Sequence, residues 1–235
     1  MTGPDRLRAA LSGGAVTAFA PRAWTRLPEF LHLARTESFW LDISLAQRLL
    51  GDAAGVCGAD ACVIPLLPAD TGGSAGPRAG EIADRPEVAA TTGLLRRLAA
   101  AGAAGLVAEL PTLAGLAGLL PGAAPEDAED ALADLARAGL EAGAQAVCVR
   151  GAPGPDVAAT VAAVAGLADY YGAAALGTDG ERGWADGERC PVGLLGRDGR
   201  WPGPAAGVVL TAGDVTEWWT PPEMRALLRE REGAG

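Results

Sequence analysis

GLVAELPTLAGLAGLLPGAAPEDAEDALADLARAGLEAGAQAVCVR, residues 105–150, carries the pattern that decides the fold. Gly105–Leu110 and Ala146–Arg150 are short, nearly continuous apolar runs, as expected for strands covered on both faces. Between them Pro125 opens a helical stretch with Glu126, Asp127, Glu129 and Asp130 in its first turns. Acids there suit the positive end of a helix dipole, and a solvated helix start explains them better than a metal site. Strand, helix and strand in this order form a βα unit of a parallel sheet.

The same alternation extends in both directions. Further strand-like runs are Ala15–Ala20, Ala61–Leu66, Ala173–Gly177, Pro191–Leu195 and Gly207–Thr211. Helical spacing marks Leu41–Cys57 through Leu41, Leu45, Leu49 and Leu50, and Val88–Ala101 through Leu94, Leu95 and Leu98. Asp156–Tyr171 and Pro222–Glu232 complete the helices. Pro68–Arg85 and Thr178–Arg189 are polar, Gly-rich stretches that follow strands, where barrel enzymes build their sites. With no internal repeat and no linker, the reading is one domain over 1–235. Its fold class is α/β, a shortened (β/α)8 TIM-barrel-like fold with about seven recognisable strands. The eighth strand is missing, irregular or misread.

Hydrophobic residues make up 49% of the 235 residues, enough for a real core. All 19 basic residues are Arg, which reflects composition bias. A formal net charge of −10 argues against a nucleic-acid partner and against docking on anionic lipid, both of which need a basic face. No apolar leader and no run of 18 apolar residues occurs, so neither a signal peptide nor a membrane span is expected. Cys57, Cys62, Cys148 and Cys190 form no CxxC, and His32 is the only histidine. The expectations are free thiols, a cytoplasmic location, no metal and no cofactor.

Arg22–Pro65 contains RAWTRLPEF, a helix, and then GADA. This order resembles the first segment of the uroporphyrinogen decarboxylase superfamily. Arg22, Arg26, Leu27, Pro28, Glu29 and Phe30 match its Arg-rich loop, and Gly58, Asp60 and Ala61 match the start of its second strand. Glu109–Gly115 (ELPTLAG), Gly143–Ala146 (GAQA) and Gly207–Glu223 (GVVLTAGDVTEWWTPPE) are similar to later family turns, in the family's order. The resemblance covers most of the chain, which is compressed after the fourth strand. Where the decarboxylases carry an Asp after the second strand, this chain has Ile64–Leu67, and their late His falls on Asp214. The zinc methyltransferases of the same superfamily place a Cys before an Asp-Val pair, and here Gly213 precedes Asp214 and Val215.

From these matches Arg22 and Arg26, with Thr112 in the third turn, are the candidate substrate-binding residues. Guanidinium groups hold carboxylates through paired hydrogen bonds. Pairing with Glu29 or Asp42 is the plainer alternative for the two arginines. Asp214 is the candidate catalytic residue, a general acid or base after the last strand, against a helix-capping role. Glu217 and Glu223 read as part of a helix start, and His32 as a surface or packing residue. Trp218 and Trp219, with Trp184 and Trp201, are candidates to line a pocket for a flat ligand. Asp179, Glu181 and Asp186 share a hydrated loop. Cys62 and Cys148 lie in strands and read as buried and inert.

Three readings stand. The first is a decarboxylase-like protein binding a carboxylated, tetrapyrrole-like ligand at the barrel mouth, with lyase chemistry if catalytic. The second is a corrinoid-linked methyltransferase-like enzyme. The third is a non-catalytic binding or accessory protein on the same scaffold. The resemblance also implies a homodimer.

Overall fold

The computed structural model describes residues 1–34, 39–68, 81–120, 122, 124–185, 191–202 and 207–233. Helix α1 (Gly3–Leu11) precedes the first strand, capped by Thr2, whose side chain accepts the Asp5 N–H. Strand β1 (Thr17–Arg22), α2 (Leu27–Phe30), a 3-10 turn (Phe39–Leu41), α3 (Ile43–Cys57) and β2 (Ala61–Pro65) follow. Next come α4 (Pro86–Ala101), β3 (Gly105–Pro111), α5 (Leu113–Leu119), α6 (Pro125–Glu141), β4 (Ala146–Arg150) and α7 (Pro155–Tyr170). The last part holds β5 (Ala174–Thr178), β6 (Gly183–Ala185), β7 (Val192–Leu195), β8 (Gly207–Asp214), α8 (Val215–Trp218) and α9 (Pro221–Gly233).

Strands β2, β3, β4 and β5 are parallel neighbours, with β6 antiparallel on β5. Strands β1, β8 and β7 form a second parallel set. Between β1 and β2 the ladder is replaced by Asp60. Its carboxylate accepts the Phe19 N–H at 2.9 Å, and its own N–H donates to the Phe19 carbonyl at 2.8 Å.

The side chains unite the two sets where the backbone ladder does not. Alternate residues of different strands share one inner cluster: Ala18 and Ala20, Ala61 and Val63, Val107, Ala146 and Cys148, Leu176, Val208 and Leu210. Ala185 of β6 and Val192 and Leu194 of β7 pack on it, so all eight strands feed one interior. The intervening positions, such as Ile64, Leu106, Ala108, Val147 and Val149, join the helices in an outer core. Inner and outer faces alternating around parallel strands are the mark of a TIM-barrel-like fold. Among the described residues no helix is long and apolar enough to cross a membrane.

Two differences from the sequence reading have physical causes. Helix α1 was not expected, because Leu7, Ala10 and Leu11 are too few apolar positions to show a stripe. It closes the N-terminal end of the barrel, with Leu7 and Ala10 in the inner cluster. Gly105 makes room for it, since a Cβ there would lie 2.7 Å from Leu7 Cδ2. The eighth strand is β6, inside the stretch read as a loop. With three residues it is too short for periodicity to reveal, and it packs its Gly183 against Val192 with no space for a side chain. Helix α7 links β4 to β5, whereas no helix lies among the described residues between β5 and β8.

Candidate functional site

The inner parity of the strands continues to their C-terminal ends, and there the small apolar residues give way to charges. On β1 the series Ala18, Ala20 ends in Arg22. On β3 Val107 is followed by Glu109, and on β4 Ala146 and Cys148 are followed by Arg150. Ala20 pairs with Leu210 but Arg22 with Asp214, so the register slips between them. Such an irregularity re-aims a side chain at the rim of a barrel. The Thr211 hydroxyl stabilises it, accepting the Arg22 N–H at 3.0 Å and donating to the Gly213 carbonyl at 2.7 Å.

The four charged side chains form one layer. Arg22 Nε lies 3.0 Å from both oxygens of Glu109, and its Nη1 donates to Asp214 Oδ2 at 3.1 Å. Arg150 Nε donates to Glu109 Oε2 at 2.8 Å, and its Nη1 to the Thr211 and Ala212 carbonyls at 3.1 Å each. Glu109 therefore bridges two guanidiniums. Burial by itself would lower the pKa of Arg22, but the charges of Glu109 and Asp214 outweigh it and raise the value, so Arg22 stays charged. Two cations face two anions, and the layer is neutral overall. Arg150 Nη2 is buried without a partner, and Arg22 Nη2 makes no hydrogen bond among the described residues. A buried donor without a partner marks where a water or a ligand acceptor belongs.

The predicted site residues are distributed as follows. Asp214 is buried, and both its oxygens are engaged. Oδ2 accepts the N–H groups of Trp24 and Thr25, the Thr25 hydroxyl and Arg22, while Oδ1 accepts the Thr216 N–H and hydroxyl. It caps α8 and ties the loop after β1 to the end of β8. Arg22 meets Asp214 in this layer. Arg26 stands apart, exposed at the rim. Its N–H donates to Thr216 Oγ1 at 3.0 Å, and its guanidinium forms no ion pair among the described residues. Thr112 is buried and caps α5, accepting the Gly115 N–H at 3.1 Å, with its methyl group against Gly151.

Arg26 lines an open groove of about 330 Å³ between α2 and α8, together with Phe30, His32, Glu217, Trp218 and Trp219. Trp218 lies over Gly213, where a Cβ would collide with the indole. His32 holds a left-handed backbone (φ 60°) in a turn just after α2. Glu223 caps the next helix, its Oε2 accepting the Thr220 N–H at 2.7 Å, and that bond holds its carboxyl below the ordinary value. Trp184 and Trp201 pack on the outer core, Trp201 edge-on to Phe19 at 5.0 Å, so only Trp218 and Trp219 reach the groove. Asp179 turns inward on its own loop, accepting the Glu181 and Arg182 N–H groups. Asp186 and Cys190 lie outside the described residues.

Glu109 and Arg150 were missed by the sequence reading. The available signal was a charge at the inner-facing position of an otherwise apolar strand, which a barrel tolerates only in its terminal layer.

Cys57, Cys62 and Cys148 are buried, and burial pushes each thiol up to about 12. Among the described residues no three His, Cys, Asp or Glu side chains are grouped to hold a metal ion. Zinc of the methyltransferase kind needs thiolate and imidazole ligands, and the described residues do not fit it.

No protein-family model matches the chain, and no curated protein matches it in sequence. Among solved structures, a methyltransferase from Methanosarcina mazei superposes with a TM-score of 0.69 at 14% identity, over 99% of each chain. A phosphonopyruvate hydrolase complexed with oxalate and Mg²⁺ aligns at 0.32 and 13% identity, over 100% of this chain and 61% of its own. An oxaloacetate acetylhydrolase aligns at 0.31 and 13%, over 97% and 85%. The latter two scores are too low to carry an argument, and the first concerns the fold. Fold and site together define the class: an α/β, TIM-barrel-like domain with a charged layer closing its interior at the C-terminal ends of the strands.

Proposed function

We propose that this chain is a divergent member of the uroporphyrinogen decarboxylase superfamily that binds a small carboxylated molecule at the barrel mouth. One observation carries the reading: guanidinium donors without partners among the described residues, at the C-terminal ends of the strands. Arg26 offers its whole head group in the rim groove, and Arg150 and Arg22 each keep an Nη2 in the charged layer. Glu109 and Asp214 hold the inner pair in place, which spares a ligand the entropy of ordering them.

Asp214, with both oxygens engaged, serves as a positioning residue for Arg22 and for the loop that bears Arg26. If the protein turns its ligand over, the resemblance implies decarboxylation. The bond from a ligand carbon to its carboxyl group breaks, carbon dioxide leaves, the electron pair stays on the ligand, and a proton then adds to that carbon. The ligand's own conjugated ring accepts the pair in that family.

Tryptophan fluorescence tests the reading. Wild type is titrated with citrate, with succinate and, under anaerobic conditions, with uroporphyrinogen and coproporphyrinogen. Saturable binding is expected, weakened about tenfold or more by Arg26→Ala or Arg150→Gln, as for loss of a charge-assisted hydrogen bond. An absence of binding, or binding indifferent to both substitutions, overturns it. A methyltransferase-like activity is the second reading, favoured by the full-length likeness to the archaeal methyltransferase fold. Stoichiometric zinc in the purified protein would move the weight to it.

A further inference from the structure

We infer that the rim groove takes a zwitterion, with its carboxylate on Arg26 and its ammonium between Glu217 and the indole faces of Trp218 and Trp219. The inference rests on the carboxylate reading above and adds the second charge of the ligand.

Arg26 and Glu217 line one groove, yet they pair neither with each other nor with any other described charge. Both are exposed. Opposite charges sharing a pocket of about 330 Å³ without neutralising one another match a molecule that brings both counter-charges. Trp218 and Trp219 meet in an edge-to-face corner, 83° apart with ring centroids 5.4 Å from each other. Indoles lining a groove attract an ammonium group, above all a methylated one, through their π systems. The corner is fixed, because Trp218 rests on Gly213 and Trp219 packs against the outer core.

The remaining charges of the groove decide against a dicarboxylate. Among the described residues of the groove, Glu217 and Glu223 outnumber Arg26, with His32 beside them. The hydrogen bonds from Thr220 keep Glu223 ionised. A second carboxylate would sit in this acid excess, whereas an ammonium is attracted by it. The groove also adjoins the inner layer. Arg26 is tied through Thr216 to Asp214 and so to Arg22, and the charge of Glu217 reaches Arg22.

Calorimetric titration with four simple probes separates the possibilities: trimethylglycine, glycine, succinate and tetramethylammonium. Trimethylglycine is expected to bind at least tenfold more tightly than succinate or tetramethylammonium, and more tightly than glycine. Glu217→Gln should weaken trimethylglycine about tenfold and leave succinate no weaker, while Arg26→Ala weakens both. Trp218→Leu should reduce the preference for trimethylglycine over glycine. These residues are exposed or half-exposed, and circular dichroism checks that each variant keeps the wild-type fold. If succinate binds as well as trimethylglycine and Glu217→Gln changes nothing, the zwitterion is overturned and the carboxylate site stands. If no probe binds, or Arg26→Ala weakens none, the zwitterion falls, and the carboxylate reading is then decided by the Arg150→Gln titrations with citrate and the tetrapyrroles.

Discussion

Asp214 illustrates how a residue's neighbours decide its role. A carboxylate after the last strand of a barrel is a natural acid or base, but this one accepts hydrogen bonds from Trp24, Thr25, Thr216 and Arg22. Replacing it with Asn keeps the shape and removes the charge opposite Arg22, whose side chain is 17% exposed. Breaking a buried pair from one side costs about 3 kcal/mol, so urea unfolding of Asp214→Asn should show a loss of that order. The cysteines make a second case at this scale. Their thiols are held up at about 12 in the folded chain against an ordinary value of 9.0. The neutral form is thus favoured by folding, and its contribution is complete below the unfolded value. As pH rises from about 9 towards 12 the unfolded chain releases those protons and the folded chain does not, so stability falls. In a Cys190→Ser background, Cys57, Cys62 and Cys148 should resist iodoacetamide at pH 8 until denaturant is added. Labelling of the native protein at the rate of a free thiol would contradict the burial.

Among the elements, α1 acts as a plug for the inner cluster. It supplies Leu7 to the inner cluster, where the side chain is fully buried over Gly105. The cavity left by Leu7→Ala lies in a barrel interior of small, closely packed residues that cannot collapse into it, and the cost should be about 3 kcal/mol in an unfolding titration. Equal stability of wild type and variant would show that the plug is dispensable. Helix α6 follows the sequence more directly. Its acids, Pro125 and the Asp127 carboxylate that accepts the Ala124 N–H at 2.8 Å form the start foreseen from composition. Leu132, Leu135 and Leu140 bury its inner face against the sheet, each worth about 1.5–3 kcal/mol.

Over the whole molecule the two halves are protected unequally. Strands β2, β3 and β4 are almost wholly buried under α3, α4, α6 and α7. Strands β6 and β7 are mostly half-exposed, and no helix lies among the described residues between β5 and β8. Few apolar contacts and exposed ladders mean local opening at low free energy. Native-state hydrogen exchange should therefore be slowest in β3 and β4 and faster by orders of magnitude in β6 and β7. Uniform protection across the eight strands would contradict this division.

The sequence by itself determined the alternation of strands and helices, and with it the parallel strands from β1 to β5 and the pair β7 and β8. That follows because hydrophobic period and helix-start chemistry are local properties, legible in runs such as Ala61–Leu66 and Pro125–Glu141. It also placed Arg22, Arg26 and Asp214 at the right end of the barrel, through their position after strands. Only the tertiary structure decided which of these charges are free. Arg22 and Asp214 form an ion pair because a register slip brings residues 192 positions apart to 3.1 Å. Arg26 and Glu217 remain unpaired beside them, and Glu109 and Arg150 join the layer from strands whose inner parity is fixed only when the barrel closes. Charge pairing depends on distances set by the packing of remote segments, and no local pattern encodes those distances.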